Sequence, residues 1–236
     1  MQTDLSDPKR GESADRNGLK QAERTLAMPE YPDPDSKNVL APDCERCPAL
    51  ADAREHISWG NGSLDAELVV VGEAPGAGTP EADRWKGGNW TGMAYTARHS
   101  GRKIRDLFGD LDFDSDDIYY TNAVKCFPEG EDGSNREPTS EERTNCRPYL
   151  ETEIEEIEPR AVIATGKHAT TSLLATEGKS IDGFLDSILE PVELGSLGTT
   201  LVPVLHPSYQ AIWLSRLDYT YEGYLDAIAE TLAGVE

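Results

Sequence analysis

Glu73, Asn122 and His206 each stand at or just past the end of a short apolar run, and their types match three tasks of bond-breaking chemistry. A carboxylate orients or activates water, and an imidazole stabilises a developing anion. A carboxamide presents a donor beside an acceptor, which suits the edge of a nucleobase. Four cysteines make a second set: Cys44 and Cys47 form a C-x2-C pair in a Pro-bounded loop, while Cys126 and Cys146 lie far along the chain. Four thiolates can hold zinc as well as iron and sulfide, since both accept tetrahedral sulfur.

The elements that must position these groups follow from apolar patterning. Residues 68–71, Leu-Val-Val-Val, read as a strand buried on both faces. Residues 118–124, 159–164 and 201–205 repeat the pattern, the last weakened by Pro203, which cannot donate to a ladder. Helical periodicity covers about 101–108 behind Ser100 as N-cap, and 219–232; a helix start with Glu141 and Glu142 in its first turn predicts a helix over 139–157, and Gly166 leads into another through Leu174. Residues 54–62 read as a loop or edge strand, 129–138 as a polar surface loop, and 177–198 as a hairpin or long loop. Strands alternating with helices predict a three-layer α/β/α sandwich around a mostly parallel four-stranded sheet. Such a sheet would bring Glu73, Asn122 and His206 to one rim, at the carboxyl ends of its strands. Residues 1–38 are polar and poor in periodic apolar positions, so they read as a disordered tail with a helical stretch near 18–28; residues 39–236 form the domain.

The charge balance argues against nucleic acid. Twenty-two Lys and Arg face 44 Asp and Glu, a net charge of -22, whereas phosphate binding needs cations. The acids are spread along the whole chain and Lys is scarcer than Arg, the pattern of a halophilic protein kept hydrated in concentrated salt. There, repulsion is screened within roughly 3 Å at 1 M, and local contacts decide. Arg98, His99, Ser100, Arg102, Lys103 and Arg105 form the densest basic patch, at a helix start that itself favours phosphate. Ser208 is a second candidate phosphate contact. No apolar run approaches the roughly 20 residues of a membrane span, and the N-terminus has no signal-peptide core. A cytoplasmic location is therefore expected, where cysteines bind metal or stay as thiols.

Four motifs together carry a family resemblance. GEAPG at 72–76 resembles the first motif of family 4 iron-sulfur uracil-DNA glycosylases, and GGNWTGMAYTARHSG at 87–101 is similar to the corresponding family 5 loop. YYTNAVKC at 119–126 and HPS at 206–208 resemble the remaining shared motifs, so the likeness spans about residues 44–210. It implies an enzyme of DNA repair that flips uracil out of single- or double-stranded DNA and hydrolyses its glycosidic bond. By that resemblance Tyr95 stacks on the base, with Trp90 the alternative, and the backbone at Gly72 and Ala74 approaches it closely. Asn122 pairs with uracil N3–H and O4, rejecting cytosine only if its amide is held in one orientation. His206 stabilises charge at O2. Glu73 positions or activates the water, with the amides around Ala74 able to share the task.

The same likeness makes Cys44, Cys47, Cys126 and Cys146 ligands of a structural [4Fe-4S] cluster, with zinc the alternative. The 19 residues between Cys126 and Cys146 are long for the family and contain an acidic insertion. Met93-Ala94-Tyr95 stands where a Phe-containing triplet is usual. The expectation is a monofunctional monomer that leaves an abasic site, without Lys125 or Lys167 as a lyase nucleophile, and with residues 1–38 available to a clamp or repair partner. The competing readings are a noncatalytic DNA-binding protein that keeps the cluster and a glycosylase for other deaminated bases. A nucleotide-binding role is disfavoured by the lack of GxxxxGK[ST] spacing.

Overall fold

A computed structural model describes residues 29–235. Seven strands form one sheet: β1 (Lys37–Asn38), β2 (Gly60–Asn61), β3 (Leu68–Gly72), β4 (Ile118–Asn122), β5 (Ala161–Thr165), β6 (Val192–Leu194) and β7 (Thr199–Val204), in the order β1-β2-β4-β3-β5-β7-β6. The four apolar runs give its parallel centre, β4-β3-β5-β7. The expected four-stranded sheet is thereby widened to seven, because antiparallel strands of two or three residues extend both edges. Pro203 is tolerated since β6 pairs only as far as Leu201, leaving the outer side of β7 at Pro203 without a strand neighbour. The 177–198 segment contributes β6 to a hairpin with β7.

Seven α-helices complete the described residues: α1 (Pro48–Ala53), α2 (Gly88–Thr91), α3 (Ser100–Asp110), α4 (Ser140–Ile157), α5 (Lys167–Leu174), α6 (Gln210–Trp213) and α7 (Tyr221–Ala233). The connection from β3 to β4 runs one way across the sheet, while those from β4 to β5 and from β5 to β7 run the other way. Right-handed crossovers then require helices on opposite faces. Side-chain alternation agrees: Leu68, Val70, Ile118, Tyr120, Ile163 and Val202 pack on α3 and α7 through Ile104, Phe108, Tyr224 and Ile228. Val69, Val71, Tyr119, Val162 and Ala164 pack on α4 and α5 through Leu150, Ile154 and Leu173. Among the described residues no helix is long and apolar enough to cross a membrane.

Local chemistry sets the helix starts. Thr139 Oγ1 accepts from Glu142 N (3.2 Å) and Glu142 Oε2 accepts from Thr139 N (2.7 Å), a closed capping box at the head of α4. Ser100, expected as the cap of α3, is instead its first helical residue; His99 holds the cap position without a side-chain cap bond. Residues 1–28 of the expected tail lie outside the described residues. Its last part is built into the domain, since β1 pairs with β2 and Tyr31 packs edge-on to Trp85 at 5.1 Å.

Candidate active site

The strand order reverses at β3, whose neighbours β4 and β5 come from opposite crossovers, so a crevice opens beyond the carboxyl ends of these strands. A cavity of about 1080 Å³ occupies it, lined by Gly72, Glu73, Ala74, Tyr95, Asn122 and His206 among others. The sheet therefore gathers the three candidate side chains as the rim argument requires. Gly72 and Asn122 are register partners of β3 and β4. A Cβ on Gly72 would stand 2.4 Å from Asn122 Oδ1 and 2.8 Å from the Tyr95 hydroxyl, so only glycine permits both to crowd this floor.

Asn122 is buried and lines the cavity, and its backbone oxygen accepts from Lys125 Nζ at 2.7 Å. Tyr95 is buried and sits at φ +52°, a left-handed conformation that must be held from outside. Its hydroxyl meets Thr165 Oγ1 at 2.5 Å, its carbonyl accepts from Arg105 Nε at 3.3 Å, and its ring lies edge-on to Tyr120. Trp90 does not line the cavity. Its indole N–H donates to Ala77 O at 2.7 Å, bracing the glycine loop.

Burial, with a smaller contribution from His168, depresses the pKa of His206 to about 4, so the ring is neutral near pH 7. Ser208 N donates to His206 Nδ1 at 3.2 Å, which assigns the proton of the neutral ring to Nε2 and makes that atom a donor. Ser208 itself is exposed. Burial likewise raises the pKa of Glu73, with Glu137 adding to the rise and His168 and Arg143 opposing it. One carboxylate oxygen, Oε1, is buried without a partner.

Arg98, His99 and Ser100 reach the cavity wall. Arg102 and Lys103 lie beyond it on α3, Lys103 exposed and Arg102 half-buried. Arg105 departs from the expected basic patch: it turns inward, its guanidinium 4.0 Å from the centre of the Tyr120 ring and donating to Asn61 Oδ1 at 2.8 Å. Sequence reasoning missed the opposite wall. His168, three residues past the end of β5, pairs with Glu137 Oε1 at 3.1 Å, and both line the cavity. The carboxyl-end rule that picked out Glu73 applies to His168 too. Asn135 and Arg136 also come from the acidic loop: Asn135 Oδ1 accepts from Ala77 N at 2.9 Å, and Arg136 forks onto Glu142 at 2.6 and 2.8 Å.

The four cysteines meet away from the cavity. Cys126 and Cys146 are buried with Leu50, Ile57, Trp59 and Val124, and Cys44 and Cys47 pack against them. All four are free thiols. Three N–H groups donate to sulfur: Arg54 Nη1 to Cys126 (3.4 Å), Asn145 Nδ2 to Cys47 (3.4 Å) and Lys125 N to Cys146 (3.5 Å). Burial pushes the Cys146 thiol up to about 11 and raises Cys126 as well. Among the described residues no three His, Cys, Asp or Glu side chains are grouped to hold a single metal ion.

A family profile described as the uracil DNA glycosylase superfamily matches residues 59–229, most of the chain and all of the cavity's strands. The chain belongs to that superfamily. It is 33% identical over 171 residues to the type-4 uracil-DNA glycosylase of Thermotoga maritima, covering 70% of this chain and 77% of that protein. It is 31% identical over 203 residues to the type-5 uracil-DNA glycosylase of Pyrobaculum aerophilum, covering 74% and 82%. Against the type-4 uracil-DNA glycosylase of Saccharolobus solfataricus it is 34% identical, but spans only about half of that protein, 54%. Likeness to both types accords with a glycine loop of one kind followed by an aromatic loop of the other.

Proposed function

We infer that this superfamily member is a DNA repair enzyme that excises uracil from DNA, leaving an abasic site. The observation that carries this reading is the meeting, in one cavity, of the Asn122 amide, a neutral imidazole and a carboxylate with an orphaned oxygen. An unpaired polar atom is costly when buried, and Glu73 Oε1 lacks what an attacking water would supply. Asn122 reads N3–H and O4, and the ring of Tyr95 stacks on the base. His206 donates from Nε2 to O2 as charge moves onto the departing ring, a donor type whose loss costs about 10²–10³ in rate. Glu73 Oε1 holds the water that attacks the sugar carbon, and the backbone at Gly72 and Ala74 follows the base edge. Arg98, Arg102, Lys103 and Ser208 contact the DNA backbone.

The cysteine site fits a [4Fe-4S] cluster on its donor set: four thiols, no other ligand type, and N–H groups aimed at three of the sulfurs. A single zinc, the alternative, would take the same four sulfurs at about 2.3 Å from one point. The cluster's contribution is structural, tying Cys44 and Cys47 to Cys126 beyond β4 and to Cys146 on α4. Free thiols of this kind belong in a reducing cytoplasm. The domain extends back from residue 39 to include β1 and Tyr31, and the segment before these is open to a repair partner; the enzyme acts as a monomer.

Incubating the purified protein with an oligonucleotide holding one uracil, at low and at molar salt, tests the reading. Alkali-labile cleavage that disappears in Asn122→Ala and His206→Ala is the expected result. No base release at any salt, with the cluster's visible absorption intact, would refute it. Loss of that absorption in Cys126→Ala separates iron from zinc.

A further inference from the structure

Reading uracil against cytosine demands that the Asn122 amide keep one orientation, and Asn122 lines the cavity at the very end of β4. The grip the protein has on this residue is on its backbone, whose carbonyl accepts from Lys125 Nζ. Beneath it lies an ion pair with no solvent access: Lys125 Nζ and Glu153 Oε2 are 2.6 Å apart, at 1% and 0% exposure. The ammonium spends its three protons on Glu153 Oε2, Thr121 Oγ1 (2.7 Å) and the Asn122 carbonyl (2.7 Å). Glu153 in turn accepts from Thr121 Oγ1 (2.7 Å), the Tyr119 hydroxyl (3.1 Å) and Gly60 N (3.2 Å). Every donor and acceptor of the pair is thus engaged, and all converge on the last turn of β4.

Fold stability does not call for such a pair, because apolar residues of similar volume usually serve a core at least as well. Its placement gives another reason. After Asn122 the chain leaves the sheet, with Ala123 N donating to Gly72 O and Val124 N to Glu73 O. Lys125 closes this departure into a rigid loop from 121 to 125. Its own backbone joins the cysteine site, since Lys125 N donates to Cys146 Sγ and Lys125 O accepts from Ser58 N at 2.7 Å. We propose that Lys125 and Glu153 are positioning residues that lock the backbone of Asn122 and so set uracil-over-cytosine discrimination. This inference rests on the base-excision reading of the cavity.

The double variant Lys125→Met/Glu153→Gln removes both charges together, so neither is left buried alone. On a uracil oligonucleotide under single-turnover conditions it is expected to slow excision about 10- to 100-fold, the scale of a small misplacement of a reacting group. DNA affinity, thermal midpoint and cluster absorption change little, while the ratio of uracil to cytosine excision falls. The same double change in an Asn122→Ala background, assayed on 5-fluorouracil, whose better leaving group keeps residual activity measurable, produces no further loss, because the reader it acts through is gone. An undiminished rate in the wild-type background, or an equal loss in both backgrounds, overturns the proposal. Glu153→Gln alone supplies the same comparison if the double variant does not accumulate. A wild-type protein that releases no uracil would instead refute the base-excision reading itself.

Discussion

A carboxylate oxygen without a partner makes Glu73 costly to ionise, and the cost has a sign that can be tested. Its folded pKa is raised, so ionised Glu73 weakens the fold above roughly pH 4.3, the unfolded value, and the penalty vanishes below it. Glu73→Gln should therefore melt higher than wild type at pH 7, lose that advantage near pH 4, and excise uracil more slowly. Equal calorimetric midpoints at both pH values would remove the argument. His206 behaves oppositely: its folded pKa of about 4 lies below the unfolded value of about 6.5. The stability tied to its neutral form is complete above the unfolded value and drains away as pH falls toward 4, and His206→Gln should flatten that part of the melting profile. Gly72→Ala should fold but lose activity more than about tenfold, as its methyl displaces Asn122 or Tyr95. At this scale the sequence made Glu73, Asn122 and His206 visible, because strand ends are readable from apolar runs. It hid the inward turn of Arg105. That residue lies one turn beyond Gly101, where a Cβ would stand 2.4 Å from Tyr95 O, so this face of α3 is pressed onto the aromatic loop.

Elements placed by periodicity were legible, and elements placed by a neighbour were not. The helix Ser140–Ile157 follows from its Thr139 start and the carboxylates of its first turn, both local in sequence. Thr139→Ala should cost about 1 kcal/mol by chemical denaturation, since the cap bond from Glu142 N to Thr139 Oγ1 is lost while the return bond from the backbone N–H at 139 is kept. The strands β1, β2 and β6 carry no readable pattern in two or three residues; they exist because β4 and β7 offer them open edges. The segment around Tyr31 makes the same point. It looks polar, yet its ring covers Trp85, which lines the cavity. A chain lacking residues 1–38 should accordingly melt lower and excise uracil more slowly than one lacking only residues 1–28, as measured by calorimetry and single-turnover rates.

For the whole molecule the dominant quantity is a net charge of -22, carried largely on the surface of an otherwise ordinary three-layer core. Self-repulsion on this scale weakens the compact state until salt screens it. The thermal midpoint should climb as KCl rises from about 0.1 M to about 2 M, well beyond one Debye length of screening. A midpoint indifferent to salt would argue that the acids are already neutralised in pairs. The fold class could be read from alternating runs, whereas the acidic loop's place against the glycine loop could not. Asn135 and Glu137 make their contacts with residues about 58 and 31 positions away, and no spacing rule reaches that far. The strand order also fixes how the molecule can be made. As the chain emerges from the ribosome, β1 and β2 precede β3, yet neither pairs with it; β4, arriving between them, joins the two parts of the sheet. Every strand made afterwards adds to the free side of β3. The strand that ends in Asn122 is thus the keystone of the sheet in vectorial assembly: before residue 118 is made, β2 is tied to the aromatic loop through Trp59 and Asn61 but has no strand joining it to β3.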